Sequence, residues 1–140
     1  MGNSHPKMQM NKSGKFESSF VSVEVPKNNS VMLGSLEGSK LGIWVAHGEG
    51  RFELPGDESE YNVSLKYVYD EYPGNPNGSD FATAAVCSAD GRHLAMMPHL
   101  ERTIFPWQNA FYPYEHRKHE VTLWMEAFAN AREWLKKTSK

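Results

Sequence analysis

One uninterrupted apolar run constrains the fold of this 140-residue chain more than any other segment. Residues 41–46, Leu-Gly-Ile-Trp-Val-Ala, carry no charged side chain and are flanked by glycine-containing segments. Runs of this kind are typical of a strand that is covered on both faces, as at the centre of an α/β sheet. We therefore predict a central β-strand here, in a fold of the α/β class.

Further strands are predicted on either side of this run. Valine occupies every second position in residues 21–25, and apolar residues alternate with polar ones in residues 63–69, which is the period of a half-buried strand. The Asp-Gly pair at residues 90–91 lies between two short apolar segments and predicts a hairpin turn.

The two ends of the chain differ in regularity. Residues 1–12 are polar and aperiodic, and we predict a loose leader there, followed by one domain over residues 13–140. Residues 120–137 predict a helix. Its expected apolar stripe consists of Trp124, Phe128, Ala131 and Leu135.

Charge and cysteine content narrow the classes of partner. The formal net charge is −2 and the basic residues are scattered, whereas binding of nucleic acid requires a clustered positive face. No apolar run approaches the roughly 20 residues of a membrane span. The single cysteine, Cys87, cannot form an internal disulfide, which favours a reducing compartment. We expect a cytoplasmic protein that binds neither nucleic acid nor a membrane.

A histidine and a glutamate stand two positions apart at His99 and Glu101. A histidine that acts as a general base needs its second ring nitrogen held by an acceptor, usually a carboxylate. Residues i and i+2 of an extended segment point to the same side, so one short segment can supply both groups. On its own, such a pair is more often a loop hydrogen bond than a catalytic pair.

A base of this kind serves a nucleophile, and Cys87 is the only thiol in the chain. A catalytic thiolate needs an electropositive, partly open setting, typically a sharp turn at a helix N-terminus. Cys87 instead follows the apolar residues 84–86, where cysteine behaves as a small hydrophobe. We therefore predict a buried structural cysteine and no nucleophile within this chain.

The segment His-Gly-Glu-Gly at residues 47–50 follows the predicted central strand. Ligand crevices form at the carboxyl ends of such strands, although a glycine-permitted turn with an exposed histidine is an equal alternative. A zinc site is not favoured, because His47 and Glu49 lack a third ligand and His116 and His119 read as a surface pair.

Four motifs, taken in order, closely resemble one family. They are NKSGKFE at 11–17, VAHGEGRF at 45–52, YPGNPNGS at 72–79, and DGR at 90–92 with MMPH at 96–99. The family is phosphoribosylformylglycinamidine synthase, the large enzyme of purine biosynthesis, at its C-terminal glutaminase domain. Each motif is weak alone, but four in the right order are specific, and the resemblance extends over residues 5–135.

The resemblance implies the C-terminal portion of a flavodoxin-like class I glutamine amidotransferase domain, an α/β fold with a mixed sheet and a C-terminal helix. In the complete enzyme this domain hydrolyses glutamine to glutamate and ammonia through a cysteinyl thioester. His99 and Glu101 match the family's catalytic pair, in which the histidine takes the thiol proton and the glutamate orients the imidazole. The family usually has proline where this chain has Leu100, so the loop is expected to be less rigid.

The resemblance also implies a glutamine pocket. The residues that match its segments are Asn11, Ser13, Phe16, Glu17 and His47, and a strand-initiating turn is the alternative for the first four. The family's nucleophilic cysteine lies upstream of the Asn11 motif. The chain is therefore expected to be an inactive fragment of an ATP-dependent ligase, with glutamine as substrate and the rest of the synthase as partner. ATP and magnesium are expected in the synthetase region, and no cofactor or metal in this chain.

Two other functions stay open at this point. One is a free-standing binding or assembly module that reuses this half-domain, and the other is an independent hydrolase built on Cys87. A sheet cut through its middle exposes strand edges and apolar faces, which predicts a homo-oligomer. The expected contact is the strand around Ile43 and Trp44, or the helix face with Trp124 and Phe128. Alternatively, the leader or the aromatic, proline-containing connection at residues 105–113 folds back and covers the sheet within a monomer.

Overall fold

The computed structural model describes residues 5–139, which form two β-sheets and one α-helix. In chain order the elements are β1 (Lys7–Gln9), β2 (Glu17–Glu24), β3 (Lys40–His47), β4 (Arg51–Glu53), β5 (Val63–Tyr67), β6 (Thr83–Cys87), β7 (Leu94–Met96) and α1 (Met125–Thr138). The larger sheet has the strand order β3-β2-β5-β6-β7, and the smaller sheet pairs β1 with β4. Every pairing among these strands is antiparallel.

The hydrophobic core lies between the larger sheet and α1. Val21 of β2 pairs with Ile43 of β3, and both side chains are buried on the core face. Leu36 from the connection between these strands joins them, as do Trp124 and Ala127 at the start of the helix. Complete burial of one such aliphatic or aromatic side chain contributes about 1.5–3 kcal/mol, so this cluster holds α1 on the sheet.

The alternating patterns of the sequence predicted two strands and one hairpin that the structure confirms. Val21 and Val23 lie in β2, and residues 63–67 form β5, whereas Val25 and Tyr69 lie beyond the ends of these strands. The Asp-Gly turn joins β6 to β7, and Gly91 has the positive φ of 73° that such a turn requires.

The apolar run at residues 41–46 forms β3, but β3 is an edge strand and not the predicted central one. The connection that follows β7 covers it. The backbone N–H of His99 donates to the Trp44 carbonyl at 2.8 Å, and the Trp44 indole donates to the Gln108 carbonyl at 2.7 Å. The Trp124 indole donates to another β3 carbonyl at 2.9 Å. The run is apolar because the chain's own connection, and not a second strand, covers it.

This covering changes the expected contact surface for an oligomer. Ile43 and Trp124 are buried within the single chain, so their side chains do not form an exposed face. The connection that contains the aromatic residues covers this edge of the sheet, which is the arrangement expected in the alternative to an oligomer. Phe128, in contrast, is 39% exposed.

The helix is shorter than predicted, and its buried face differs. It begins at Met125 because Thr122 is anchored to the preceding connection, where its N–H donates to the Ile104 carbonyl at 2.8 Å. Ala127 is buried on the core, whereas Leu135 is 58% exposed. The predicted stripe is therefore wrong at Phe128 and Leu135.

The prediction of a loose leader is wrong for residues 7–12. β1 pairs with β4, and Asn11 is buried with its N–H donating to the Gly48 carbonyl at 2.8 Å. The pairing was missed because its partner strand lies about forty residues further along the chain. Residues 1–4 of the predicted leader lie outside the described part of the chain.

The predicted α/β fold with a C-terminal helix is confirmed. The sheet differs from the expected mixed sheet, since the strands described in residues 5–139 pair only antiparallel. Among the described helices, none has the length and apolar character to cross a membrane.

Candidate active site

His99 and Glu101 form a hydrogen-bonded pair. Nδ1 of His99 lies 2.7 Å from Oε1 of Glu101, which confirms the expected contact. The geometry differs from an extended segment, because His99 is the extended residue before a single 3₁₀ turn, Leu100–Arg102. That turn brings the glutamate back towards the imidazole. One short segment therefore supplies both groups and the turn that brings them together.

The charge on Glu101 fixes the role of each imidazole nitrogen. Burial alone would raise the pKa of Glu101, but its own backbone N–H, His99 and Arg102 together lower that pKa below its ordinary value. An ionised carboxylate only accepts hydrogen bonds, so Nδ1 of His99 carries the donated proton. Nε2 of the neutral imidazole then has a free lone pair, as a general base requires.

The turn that carries this pair is held by packing and by a threonine. The side chain of Leu100 is buried, and the Thr103 hydroxyl donates to the His99 carbonyl at 2.8 Å. These contacts hold the turn in place, whereas Leu100 predicted a less rigid loop than proline would give. The side chain of His99 is 28% exposed, so its imidazole stays accessible.

His47 lies near this pair and is bonded to Asn11. Nδ1 of His47 is 3.2 Å from Oδ1 of Asn11, while the Asn11 amide nitrogen donates to the carbonyls of Lys15 and His47 at 2.9 and 2.6 Å. Burial lowers the pKa of His47, and the nearby His99 lowers it further, whereas Glu17 and the backbone raise it. His47 is thus held neutral beside His99 and Glu17.

Glu17 stands opposite His47 in the pairing of β2 with β3. Cross-strand partners of this kind have Cβ atoms about 4.5–5.5 Å apart and share one face of the sheet. Glu17 is only 8% exposed, and the nearest cation is the Lys15 ammonium, 3.9 Å from Oε1. Within residues 5–139, Oε1 of Glu17 and Nε2 of His47 are both buried without a hydrogen-bond partner.

The predicted pocket residues divide into two groups. Asn11, Glu17 and His47 come together, whereas Ser13 is exposed and Phe16 is 65% exposed. Ser13 instead lines a separate cleft of about 580 Å³. The structure therefore brings three of the five residues to one place.

A buried asparagine in the YPGNPNGS motif, to which the sequence assigned no role in the pocket, supports this group. Asn77 is fully buried, and its amide nitrogen donates to the Gly50 carbonyl at 2.6 Å. Its carbonyl oxygen accepts from the Ser79 hydroxyl at 2.8 Å, and its backbone carbonyl accepts from the Lys12 N–H at 3.0 Å. The turn thus ties the Asn11 and His47 motifs together. The sequence feature that could have indicated this role is the Asn-Pro-Asn-Gly segment at residues 75–78, because buried asparagine side chains need hydrogen-bond partners.

Cys87 is half-buried and not close to the histidine–glutamate pair along the hairpin. Cys87 pairs with Leu94, the first residue of β7. His99 comes after the last residue of that strand, so it lies five residues further along the chain than Leu94. Five extended residues span roughly 16 Å at about 3.3 Å each. Burial raises the pKa of the Cys87 thiol, and its sulfur lies 3.3 Å from Oδ1 of Asn29. This setting opposes formation of a thiolate.

His116 and His119 stack on one another at an exposed site, with ring centroids 4.8 Å apart. The Tyr112 hydroxyl lies 3.2 Å from Nδ1 of His119. Across residues 5–139, no group of three or more His, Cys, Asp or Glu side chains is arranged to hold a metal ion.

Comparison with known proteins places this geometry in a family. The family described as CobB/CobQ-like glutamine amidotransferase domain matches residues 2–135. This chain belongs to that family. Its histidine–glutamate pair and its His47 group therefore lie within an amidotransferase domain.

Similar proteins carry the name of one enzyme. The probable phosphoribosylformylglycinamidine synthase, chloroplastic/mitochondrial, of Arabidopsis thaliana is 44% identical over 147 residues, which cover 94% of this chain and 10% of that protein. The synthase of Drosophila melanogaster is 43% identical, with 92% and 11% covered. The amidotransferase chain described here thus spans about a tenth of the length of these curated relatives.

A solved structure supports the same fold assignment. One chain in the structure of PurLQS from Thermotoga maritima aligns with a TM-score of 0.70 and 29% identity. The alignment covers 96% of the present chain and 55% of that chain. The amidotransferase domain seen here therefore corresponds to part of a larger flavodoxin-like domain.

Proposed function

We propose that this chain supplies the acid–base half of a glutamine-hydrolysing site in a phosphoribosylformylglycinamidine synthase. The observation that carries the proposal is the 2.7 Å contact between Nδ1 of His99 and the carboxylate of Glu101. The similarity to synthases of this name supports the choice of reaction. Ammonia released from glutamine would be used to convert formylglycinamide ribonucleotide to its amidine.

In the proposed mechanism, Nε2 of His99 accepts the proton of a cysteine thiol from another segment. The thiolate attacks the side-chain amide carbonyl of glutamine and forms a tetrahedral intermediate. The imidazolium of His99 then gives its proton to the departing nitrogen, so that ammonia leaves and a thioester remains. Water, activated by the same imidazole, hydrolyses the thioester to glutamate. Glu101 stabilises the imidazolium in both steps.

The proposal assigns the nucleophile to a segment other than this chain. Cys87 has a raised thiol pKa and lies at the opposite end of the β6–β7 hairpin from His99, which argues against the independent hydrolase. We therefore propose that the chain alone is inactive as a glutaminase.

The remainder of the synthase is the proposed partner of this chain, and glutamine is its proposed substrate. Exposed apolar side chains on α1, such as Phe128 and Leu135, suit packing against further protein. ATP and magnesium are assigned to the synthetase region, and no cofactor is assigned to this chain. A cytoplasmic location is proposed because the single cysteine fits a reducing compartment.

A chimera tests the proposal directly. The segment of the Drosophila melanogaster synthase that aligns with this chain is replaced by the chain itself. Synthesis of the amidine is then measured with glutamine and, separately, with ammonia as the nitrogen donor. We expect His99→Asn to lower the glutamine-dependent rate by about 10²–10⁴-fold, since it removes the general acid–base group.

The ammonia-dependent rate is the internal control for folding and for the synthetase site. It should be unchanged in the His99→Asn chimera. Equal loss of both rates would mean that the substitution damages the fold. An unchanged glutamine-dependent rate would contradict the proposal and favour a binding or assembly role.

A further inference from the structure

Two buried side-chain atoms on paired positions of β2 and β3 have no hydrogen-bond partner among the described residues. They are Oε1 of Glu17 and Nε2 of His47, and no donor among residues 5–139 reaches either atom. Both residues lie on the core face of the sheet, on paired positions next to the buried Val45. Burial of an unsatisfied carboxylate oxygen costs several kcal/mol, so such an arrangement favours a ligand that can donate.

The hydrogen bonds of Asn11 show that His47 is an acceptor at Nε2. The amide nitrogen of Asn11 donates to two carbonyls, so the remaining side-chain oxygen can only accept. That oxygen accepts from the Gly50 N–H at 3.1 Å and lies 3.2 Å from Nδ1 of His47. Nδ1 must therefore carry the proton, and Nε2 presents a lone pair.

The charge of the site favours a cation with several N–H donors. Glu17 provides a carboxylate, and Lys15 compensates it only in part, because the distance of 3.9 Å is too long for a hydrogen bond. His47 adds a neutral acceptor, since burial lowers its pKa. A primary ammonium group offers N–H donors to both acceptors and a positive charge to the carboxylate.

We propose that Glu17 and His47 together bind a small primary ammonium group beside His99. These two residues would thereby select a positively charged group with N–H donors, which the pair of His99 and Glu101 alone does not do. Two ammonium groups occur in the reaction, namely the α-ammonium of glutamine and the ammonium ion formed from released ammonia. This assignment of sources rests on the proposed function, whereas the binding chemistry rests on the two acceptors.

Nuclear magnetic resonance on the chain itself tests the binding. Histidine is labelled with ¹⁵N, and the Nε2 shift of His47 is followed during separate titrations with ammonium chloride and L-glutamine. Tetramethylammonium chloride, which has a positive charge but no N–H donor, serves as the control for ionic strength. We expect a saturable shift with at least one of the two donors and none with the control.

The two titrations distinguish the sources. Saturation with ammonium chloride assigns the site to the released ion. Saturation with L-glutamine but not with ammonium chloride assigns it to the substrate's α-ammonium, and glutaramic acid, which lacks that group, should then have no effect. If neither donor gives a saturable shift, or if tetramethylammonium gives the same shift, the proposal is overturned.

Matched variants locate the binding. Glu17→Gln should weaken saturation by about tenfold or more, because it removes the charge from the hydrogen bond. Glu49→Gln alters an exposed carboxylate two residues from His47 and should leave the affinity unchanged. Equal affinity in the wild-type chain and in a folded Glu17→Gln variant would refute the role of Glu17. If that variant does not fold, the comparison of ammonium with tetramethylammonium in the wild-type chain still decides the question.

These measurements need no nucleophile. Their failure is therefore distinguishable from failure of the proposed glutaminase function, which the activity of the chimera tests separately.

Discussion

Nδ1 of His99 lies 2.7 Å from Oε1 of Glu101, although the Glu101 side chain is more than half exposed. Exposed ion pairs contribute little to stability, so this contact is not explained by stabilisation of the fold. Its consequence is that the imidazole is already oriented, with Nδ1 directed at the carboxylate and Nε2 directed away from it.

The orientation of His99 should depend on the charge of Glu101. In the chimera, Glu101→Gln is expected to lower glutamine-dependent synthesis by about 10²-fold or more, because a neutral amide stabilises the imidazolium less. Ammonia-dependent synthesis should not change. Glu115→Gln removes an exposed carboxylate elsewhere and is the matched control. Full glutamine-dependent activity in the Glu101→Gln chimera would argue against this role.

His47 should make the stability of the chain depend on pH. Its pKa in the folded state is lowered from 6.5 by burial, so below pH 6.5 the unfolded chain binds the proton more readily than the folded one. The stability contributed by neutral His47 is complete above pH 6.5. It is lost as the pH falls through this window towards the folded-state pKa.

Urea unfolding at pH 7.5, 6.5 and 5.5 measures this effect. The free energy of unfolding should fall less steeply with decreasing pH in His47→Gln than in the wild-type chain. His93→Gln replaces an exposed histidine and should retain the wild-type slope. Identical slopes in all three proteins would show that His47 is not held neutral by the fold.

Trp124 should be among the most sensitive core positions. It is almost completely buried, and its indole donates to the Gly42 carbonyl at 2.9 Å. Trp124→Ala is expected to lower the free energy of unfolding by about 3–5 kcal/mol. Trp107, which is 80% exposed, is the control, and its replacement by alanine should change stability by less than about 0.5 kcal/mol. Comparable losses in urea unfolding would contradict the described burial.

Two glycines with similar backbone angles should tolerate alanine differently. Gly91 and Gly14 have φ values of 73° and 71°, but a Cβ on Gly91 would lie 2.0 Å from the backbone oxygen of Asn29, whereas nothing lies within 4 Å at Gly14. Gly14→Ala should cost about 1–2 kcal/mol for its backbone conformation alone. Gly91→Ala should cost about 2–5 kcal/mol, since overpacking is added. A smaller loss for Gly91→Ala in thermal or urea unfolding would refute this ranking.

Self-association of the chain stays a prediction. Ile43 and Trp124 of the expected contact are buried, so Phe128 is the exposed residue that remains of it, and Leu135 is exposed one heptad further along α1. Sedimentation velocity at micromolar concentration should show a dimer or larger species, and Phe128→Glu with Leu135→Glu should shift it to monomer. Trp107→Glu, at an exposed site outside α1, should not. A single monomeric species for the wild-type chain would contradict this prediction.

The sequence sufficed where the governing contacts are local. The strand over residues 63–67 and the Asp-Gly hairpin follow from side-chain alternation and turn chemistry between near neighbours. The contact of His99 with Glu101 was predicted for the same reason, because two residues of one turn supply it.

The sequence did not suffice where a distant segment decides the outcome. β1 exists because of β4, and α1 begins late because Thr122 is bonded to Ile104, eighteen residues earlier in the preceding connection. The pocket residues come from two motifs, and the pairing of Glu17 with His47 determines which of them meet. Such register cannot be read from the spacing within either strand.

The hydrogen bond from the backbone of His99 to the carbonyl of Trp44 has two effects at once. It fixes the start of the turn that carries His99 and Glu101, and it occupies a carbonyl on a sheet edge that would otherwise be open to another strand. Breaking this one bond would release the start of the turn and expose that carbonyl together. The same contact therefore serves both the position of the histidine and the protection of the sheet edge.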